Sequence, residues 1–396
     1  MIKLIRNRKS ANGFSLVELM VVIVLVLMMS LAIFGILSTS EGKKRTLTSV
    51  NDINQAGNYA MYQLEKSLRA AGSGISQNYQ TVFGCPLRAA LSGNQILPFT
   101  GTMAAPFAAL NTALTGNFRL APLIIAKDAT TPNMSGSKSD VIIMMSGTAG
   151  YGEVPTAFNS IPVSNNLSLI NTVAFNANDL ILLMDQSAGT PCFLSQVDAA
   201  FTTAVGVTTL PMAGSFYSDT IAGNSISSLP GTAIAMNLGN ATGNLPNFQM
   251  FGVGNNNTLF QYDLLQGGTL NTPLAIADGI FEMHALYGVA SAAGGGLLDT
   301  WVDPAAAGFD YLTLENGSAP STKTLVTIKA IRVGFITRTS LPEKASTPPA
   351  TTGPIKLFSD LGPTVTYTRT LTAAEQNYRY RTVELTIPLR NSLFLN

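Results

Sequence analysis

The chain has 396 residues, enough for one large or two modest domains. Hydrophobic residues make up 46 % and charged residues only 11 %, against roughly a quarter charged in ordinary soluble domains, so a sizeable core is possible in a chain rich in polar turns. With 23 basic and 22 acidic residues, no global field favours nucleic acid or acidic ligands, and one histidine, His284, leaves little room for histidine-driven acid–base chemistry.

The first element is N-terminal. Residues 1–13 carry Lys3, Arg6, Arg8 and Lys9 and no acid. From Leu19 to Leu37 there are 19 residues without a charge. As a helix this stretch spans about 28 Å, the thickness of a bilayer core. The basic leader predicts a cytoplasmic start and an exported remainder, although Lys43, Lys44 and Arg45 weaken that asymmetry. A cleavable secretory signal would have a shorter apolar core and a small-residue site after it, whereas here the run ends in LSTSEGKK. A plain signal anchor fits the length but leaves Glu18 unexplained. A carboxylate inside a spanning helix costs a few kcal/mol and is usually functional. Beyond the span, Leu47, Val50, Ile53, Ala60, Met61, Leu64 and Leu68 recur mostly at helical spacing, and Ala71-Gly72-Ser73-Gly74 reads as a stop. One helix over about residues 15–71 follows, with Gly35, Gly42 and Gly57 as places where it could bend.

After Gly74 the pattern changes to short apolar runs bounded by Gly, Asn, Ser and Pro. Leu123–Ala126, Val141–Met145, Leu180–Met184 and Leu259–Leu265 read as strands. Alternation at Phe281–Val289, Ile331–Phe335 and Val383–Leu389 predicts antiparallel strands with one face on a core. Loops are expected over Lys127–Ser139, Gly214–Ser228, Gly239–Pro246, Ser291–Gly296 and Ser340–Pro354. Cys85 and Cys192 are too few for a Cys/His zinc site. In an oxidising compartment they can pair, closing a 107-residue loop and adding roughly 4–5 kcal/mol on the chain-entropy model. The alternative is two buried thiols.

The segment Gly13-Phe14-Ser15-Leu16-Val17-Glu18-Leu19 closely resembles the type IV prepilin motif. The resemblance implies cleavage between Gly13 and Phe14 by prepilin peptidase, N-methylation of Phe14, and a docking role for Glu18 against the terminal amine of a neighbouring subunit. Further pieces resemble the PilW-type minor pilins: Gln63–Gly72, Gly84-Cys85, Asp179–Asp185 with Cys192 downstream, Gly279–Val289 with Asp299, Trp301 and Val302, Ile331-Arg332-Val333, and Leu389-Arg390-Asn391. That family often carries an Asp-rich, calcium-like turn between the positions of Val289 and Asp299. Here the turn reads Ala290–Gly296, without carboxylates, and no calcium site is expected there.

Other constellations are weaker. Glu282 and His284 share a strand face, but no nucleophile motif stands beside them, and a surface or hydrogen-bonded histidine is the simpler reading. Tyr378, Arg379, Tyr380 and Arg381 could stack on single-stranded nucleic acid, yet read more simply as a strand edge with solvated or paired arginines. Trp301 reads as core, and no phosphate-binding glycine fingerprint is present.

The expectation is therefore an α+β protein: a leader over 1–13, a transmembrane half-helix over 14–37, a periplasmic half-helix over 38–72 and a β-rich periplasmic head over 73–396. The resemblance implies a non-enzymatic minor pilin of the inner membrane, without cofactor or metal. Its partners would be other minor pilins, the major pilin, prepilin peptidase and membrane lipid, with nucleic acid not among them. The family reading also implies a part in starting pilus assembly and is compatible with a place at the filament tip. Two alternatives remain: a J-type pseudopilin of type II secretion, and a membrane-tethered adhesin or DNA-binding module.

Overall fold

The computed structural model describes residue 13 and residues 15–132, 137–150, 154–185, 191–266, 272–291, 296–343, 349–393 and 395. The chain divides into two compact units, Met1–Asn51 and Asp52–Asn396. One helix, Leu16–Ala70, runs through both, as its continuous helical periodicity predicts. Within the second unit its apolar stripe is buried at Ile53, Gly57, Ala60, Met61, Leu64 and Leu68. Leu47, read from sequence as part of that stripe, is 65 % exposed. The helix runs unbroken through Gly57, which brings it close to a sheet. A Cβ there would meet Thr337 Cγ2 at 2.9 Å and Val383 Cγ2 at 3.2 Å, so only glycine allows this approach.

The second unit is built on three main sheets. The six-stranded sheet has the order Asn94–Leu97, Leu87–Leu91, Cys192–Gln196, Asp179–Met184, Ile234–Asn240, Thr156–Ala157. The five-stranded sheet has the order Leu274–Ala277, Thr258–Asp263, Asn247–Gly254, Ser139–Ser146, Leu123–Thr130. The four-stranded sheet has the order Thr300–Val302, Ile280–Val289, Ile328–Arg338, Tyr380–Pro388. Among the described strands every pairing is antiparallel except that of Leu87–Leu91 with Cys192–Gln196. A long helix followed by a mainly antiparallel β domain is the expected α+β arrangement.

Burial follows the two-residue period of a strand. In Asp179–Met184, Leu180, Leu182 and Met184 join the principal core, which also holds Leu64 and Leu68 of the helix and much of the other two sheets. Ile181 and Leu183 face the opposite way, into a second core with Phe158, Phe175, Phe193 and Leu210. The six-stranded sheet is therefore covered on both faces.

The sequence reading of Ile280–Val289 as a one-faced strand needs correction, because all ten residues are buried. Its second face is closed by Leu357 and Phe358, from the segment leading into and out of the hairpin Ile355–Leu357/Tyr367–Arg369. The register against Ile328–Arg338 also shifts between Ile280 and Glu282. This bulge turns Phe281 away from Met283 and Ala285, and it packs instead with Leu286 and Ile336. Trp301 is partly buried against the same small core. Of the expected loops, Lys127–Ser139 is taken up in part by strand, which runs on to Thr130.

Candidate assembly segment and buried polar sites

The helix begins at Leu16, and its first turn carries Glu18, an acid placed favourably against the helix N-terminal dipole. The amide of Leu19 donates to Ser15 O at 3.1 Å, so the first turn is closed directly after the expected processing site. Gly13 and Glu18 are exposed. Phe14 and the leader residues 1–12 lie outside the described residues. From Leu16 to Leu37 the large apolar side chains remain exposed, Leu25 at 51 % and Leu31 at 72 %. A contiguous apolar surface of this length is not tolerated in water and marks a membrane or protein contact.

The head carries the other sequence-selected residues. The sulfurs of Cys85 and Cys192 are 1.97 Å apart, and they are joined as a disulfide. The bond lies beside the parallel strand pair, in which Leu87 stands opposite Cys192. Arg379 pairs with Glu343, and Tyr380–Pro388 is the edge strand of its sheet. The Ala290–Gly296 turn falls largely outside the described residues, at 292–295.

Glu282 and His284 lie in a buried polar network. Glu282 accepts from Ser137 Oγ at 2.9 Å, Tyr367 OH at 2.9 Å and Arg369 Nε at 2.8 Å. Arg369 also pairs with buried Glu375 at 2.8 Å. The imidazole of His284 has Nε2 at 3.4 Å from Glu282 Oε2 and Nδ1 at 3.5 Å from Asp140 Oδ1, and it stacks on the Tyr367 ring at 3.7 Å. Asp140 accepts backbone N–H bonds from Asp128 at 3.0 Å and Ala285 at 2.9 Å. Burial alone would lower the His284 pKa, but the charges of Asp140 and Glu282 outweigh it and raise the value to about 9. Sequence alternation paired Glu282 with His284. It gave no sign of Asp140, which is 144 residues earlier in the chain, or of Tyr367 and Arg369.

A separate buried acid, Glu315, caps the short helix Tyr311–Leu314. Its Oε2 accepts from the Arg119 amide at 2.8 Å, while its Oε1 has no hydrogen-bond partner among the described residues. Burial pushes its pKa up to about 8, only partly opposed by the Arg119 amide and charge.

Residues 250–391 match the family model described as type IV pilus-assembly protein W, PilW, and residues 8–34 match the prokaryotic N-terminal methylation motif. No curated protein and no solved structure matches the chain. The first match covers the whole four-stranded sheet and includes the Gly279–Val289 and Leu389–Asn391 segments read from sequence. The second covers Gly13, Phe14, Glu18 and most of the exposed apolar helix. Together they support a membrane-anchored, pilus-associated protein, and the pilin family they point to implies prepilin processing and interaction with other pilus components. PilW proteins are structural parts of the pilus and not a family of enzymes. The processing motif at one end and the PilW match over the sheet at the other support a type IV pilus pilin of the PilW family.

Proposed function

We propose that the protein is a minor pilin that primes pilus assembly and takes a place at the filament tip. Prepilin peptidase would cut between Gly13 and Phe14 at the cytoplasmic face, and Phe14 would be N-methylated. Residues 14–37 would then cross the inner membrane once, residues 38–72 would continue the helix into the periplasm, and residues 73–396 would form the periplasmic head. The observation that carries this reading is the exposed apolar run Leu16–Leu37 with Glu18 as its one carboxylate, five residues after Gly13.

The physics of docking follows from that placement. Cleavage leaves a cationic amine at Phe14 in an apolar setting, where an unpaired charge is costly and a partner carboxylate relieves it. Glu18 of one subunit meeting the amine of the next fixes the axial register of the helices, and the apolar faces then pack. The head presents its contacts to other minor pilins and to the major pilin.

The test is a pilus count on cells lacking the gene, complemented with the wild-type gene or with Glu18→Ala. Loss of pili in the deletion strain, restored by wild type and poorly by Glu18→Ala, is the expected result. Unchanged piliation in the deletion strain would remove the priming role and direct attention to secretion as the process served.

A further inference from the structure

We propose that Asp128, Asp140 and His284 form a binding site for one divalent transition-metal ion, Zn2+ being the reference case, with Glu282 orienting the imidazole.

One ligand atom from each of the three residues lies within 4.8 Å of the other two. The separation of His284 Nδ1 and Asp140 Oδ1 is 3.5 Å. It matches the edge of a coordination tetrahedron, about 3.3–3.6 Å for bonds of about 2.0–2.2 Å. The other ring nitrogen, Nε2, faces Glu282. That carboxylate is itself fixed by Ser137, Tyr367 and Arg369, and the Tyr367 ring packs flat on the imidazole. A histidine whose far nitrogen faces an anchored carboxylate, while the near one faces a second ligand of the ion, is the usual outer-shell arrangement at metal sites.

Asp128 is brought to this place by a distortion of its strand. The pairing of Leu123–Thr130 with Ser139–Ser146 shifts register between Ala126 and Thr130, and Asp128 has φ 55, the left-handed conformation that aspartate adopts more readily than most residues. The bulge sets a second carboxylate beside buried Asp140, an arrangement of like charges that a cation relieves. In the absence of metal, protonated His284 beside Asp140 and Lys138 Nζ, 3.7 Å from Asp128 Oδ2 with its side chain 60 % exposed, answer it. Asp140 and His284 are buried, whereas Asp128 is exposed and gives the ion an entry path and a position for water.

The donor set selects the metal class. Ca2+ and Mg2+ take oxygen ligands almost alone, while imidazole with carboxylates suits Zn2+ and its first-row neighbours. Both thiols of the chain are committed to the disulfide and offer no competing site. The three ligands come from strands Leu123–Thr130, Ser139–Ser146 and Ile280–Val289, so a bound ion would tie the five-stranded sheet to the four-stranded one. Its role would be structural.

The experiment uses the full chain in detergent, stripped with a chelator and dialysed against Zn2+ at mildly alkaline pH. Wild type is expected to bind one equivalent, with a rise in melting temperature that the chelator reverses. Asp128→Asn, at an exposed position where folding is not at risk, is expected to bind about tenfold more weakly or worse, and His284→Gln to lose the site. The chain's single imidazole gives an independent readout, since its ring NMR signals should move on Zn2+ addition to the wild type. Absence of saturable binding, unmoved imidazole signals, or equal affinity in a folded Asp128→Asn protein would each overturn the proposal.

Discussion

Leu25 and Leu64 stand on one unbroken helix, yet Leu25 is 51 % exposed and Leu64 is fully buried among the sheets of the head. The first half of the helix is apolar on every side, and the second half only along a stripe. An all-round apolar helix cannot be satisfied by packing one face on a domain, and it needs lipid or other helices around it. A striped helix is satisfied by a single contact. The two carboxylates differ in the same way. Glu18 is exposed in the apolar half, whereas Glu315 is sealed in the head with one oxygen that has no hydrogen-bond partner among the described residues.

The largest effect that separates the halves comes from the disulfide. Replacing Cys85 and Cys192 by serine opens a 107-residue loop and should lower head stability by roughly 4–5 kcal/mol in denaturant titrations. The protein should still fractionate with membranes, since that depends on the first half. Loss of membrane association in a processed double variant would show that the two halves are not independent.

Leu64→Ala against Leu25→Ala tests the contrast directly. Truncation at Leu64 leaves a cavity in a closed core and should cost about 2–5 kcal/mol. Leu25→Ala should leave head unfolding unchanged to within about 0.5 kcal/mol. Equal destabilisation by both would mean that the apolar half is part of the folded core.

Glu315→Gln sharpens the carboxylate contrast. The folded pKa of about 8 lies above the ordinary glutamate value of 4.5. The folded state therefore holds the proton more tightly, and stability declines as the pH rises from about 4.5 to about 8. Over that window the loss is on the order of a few kcal/mol. The Gln variant should show a flatter pH profile of melting temperature and gain stability relative to wild type at its alkaline end. A wild-type profile with no such slope would mean that Glu315 is charged in the fold.

The sequence by itself determined the elements that depend on neighbours along the chain. The apolar run, the acid at Glu18 and the stripe from Ile53 to Leu68 specify a helix and its two surroundings, because helical periodicity and bilayer thickness are local properties. Strand existence at Leu123, Val141, Leu180, Ile280, Ile328 and Tyr380 was legible for the same reason. Only the tertiary structure decided what lies across from what. The second face of Ile280–Val289 was covered by a hairpin some 70 residues later, so alternation that pointed to solvent led to a second core. A bulge at Ile280–Glu282 moved Phe281 to the other side, and no residue-type signal marks a bulge of that kind. Gly57 read as a weakness in a helix until Thr337 and Val383 were seen against it. Asp128, Asp140 and His284 come together only because antiparallel pairing and sheet packing bring distant segments to within a few ångströms, a relation fixed by the core as a whole and not by any window of sequence.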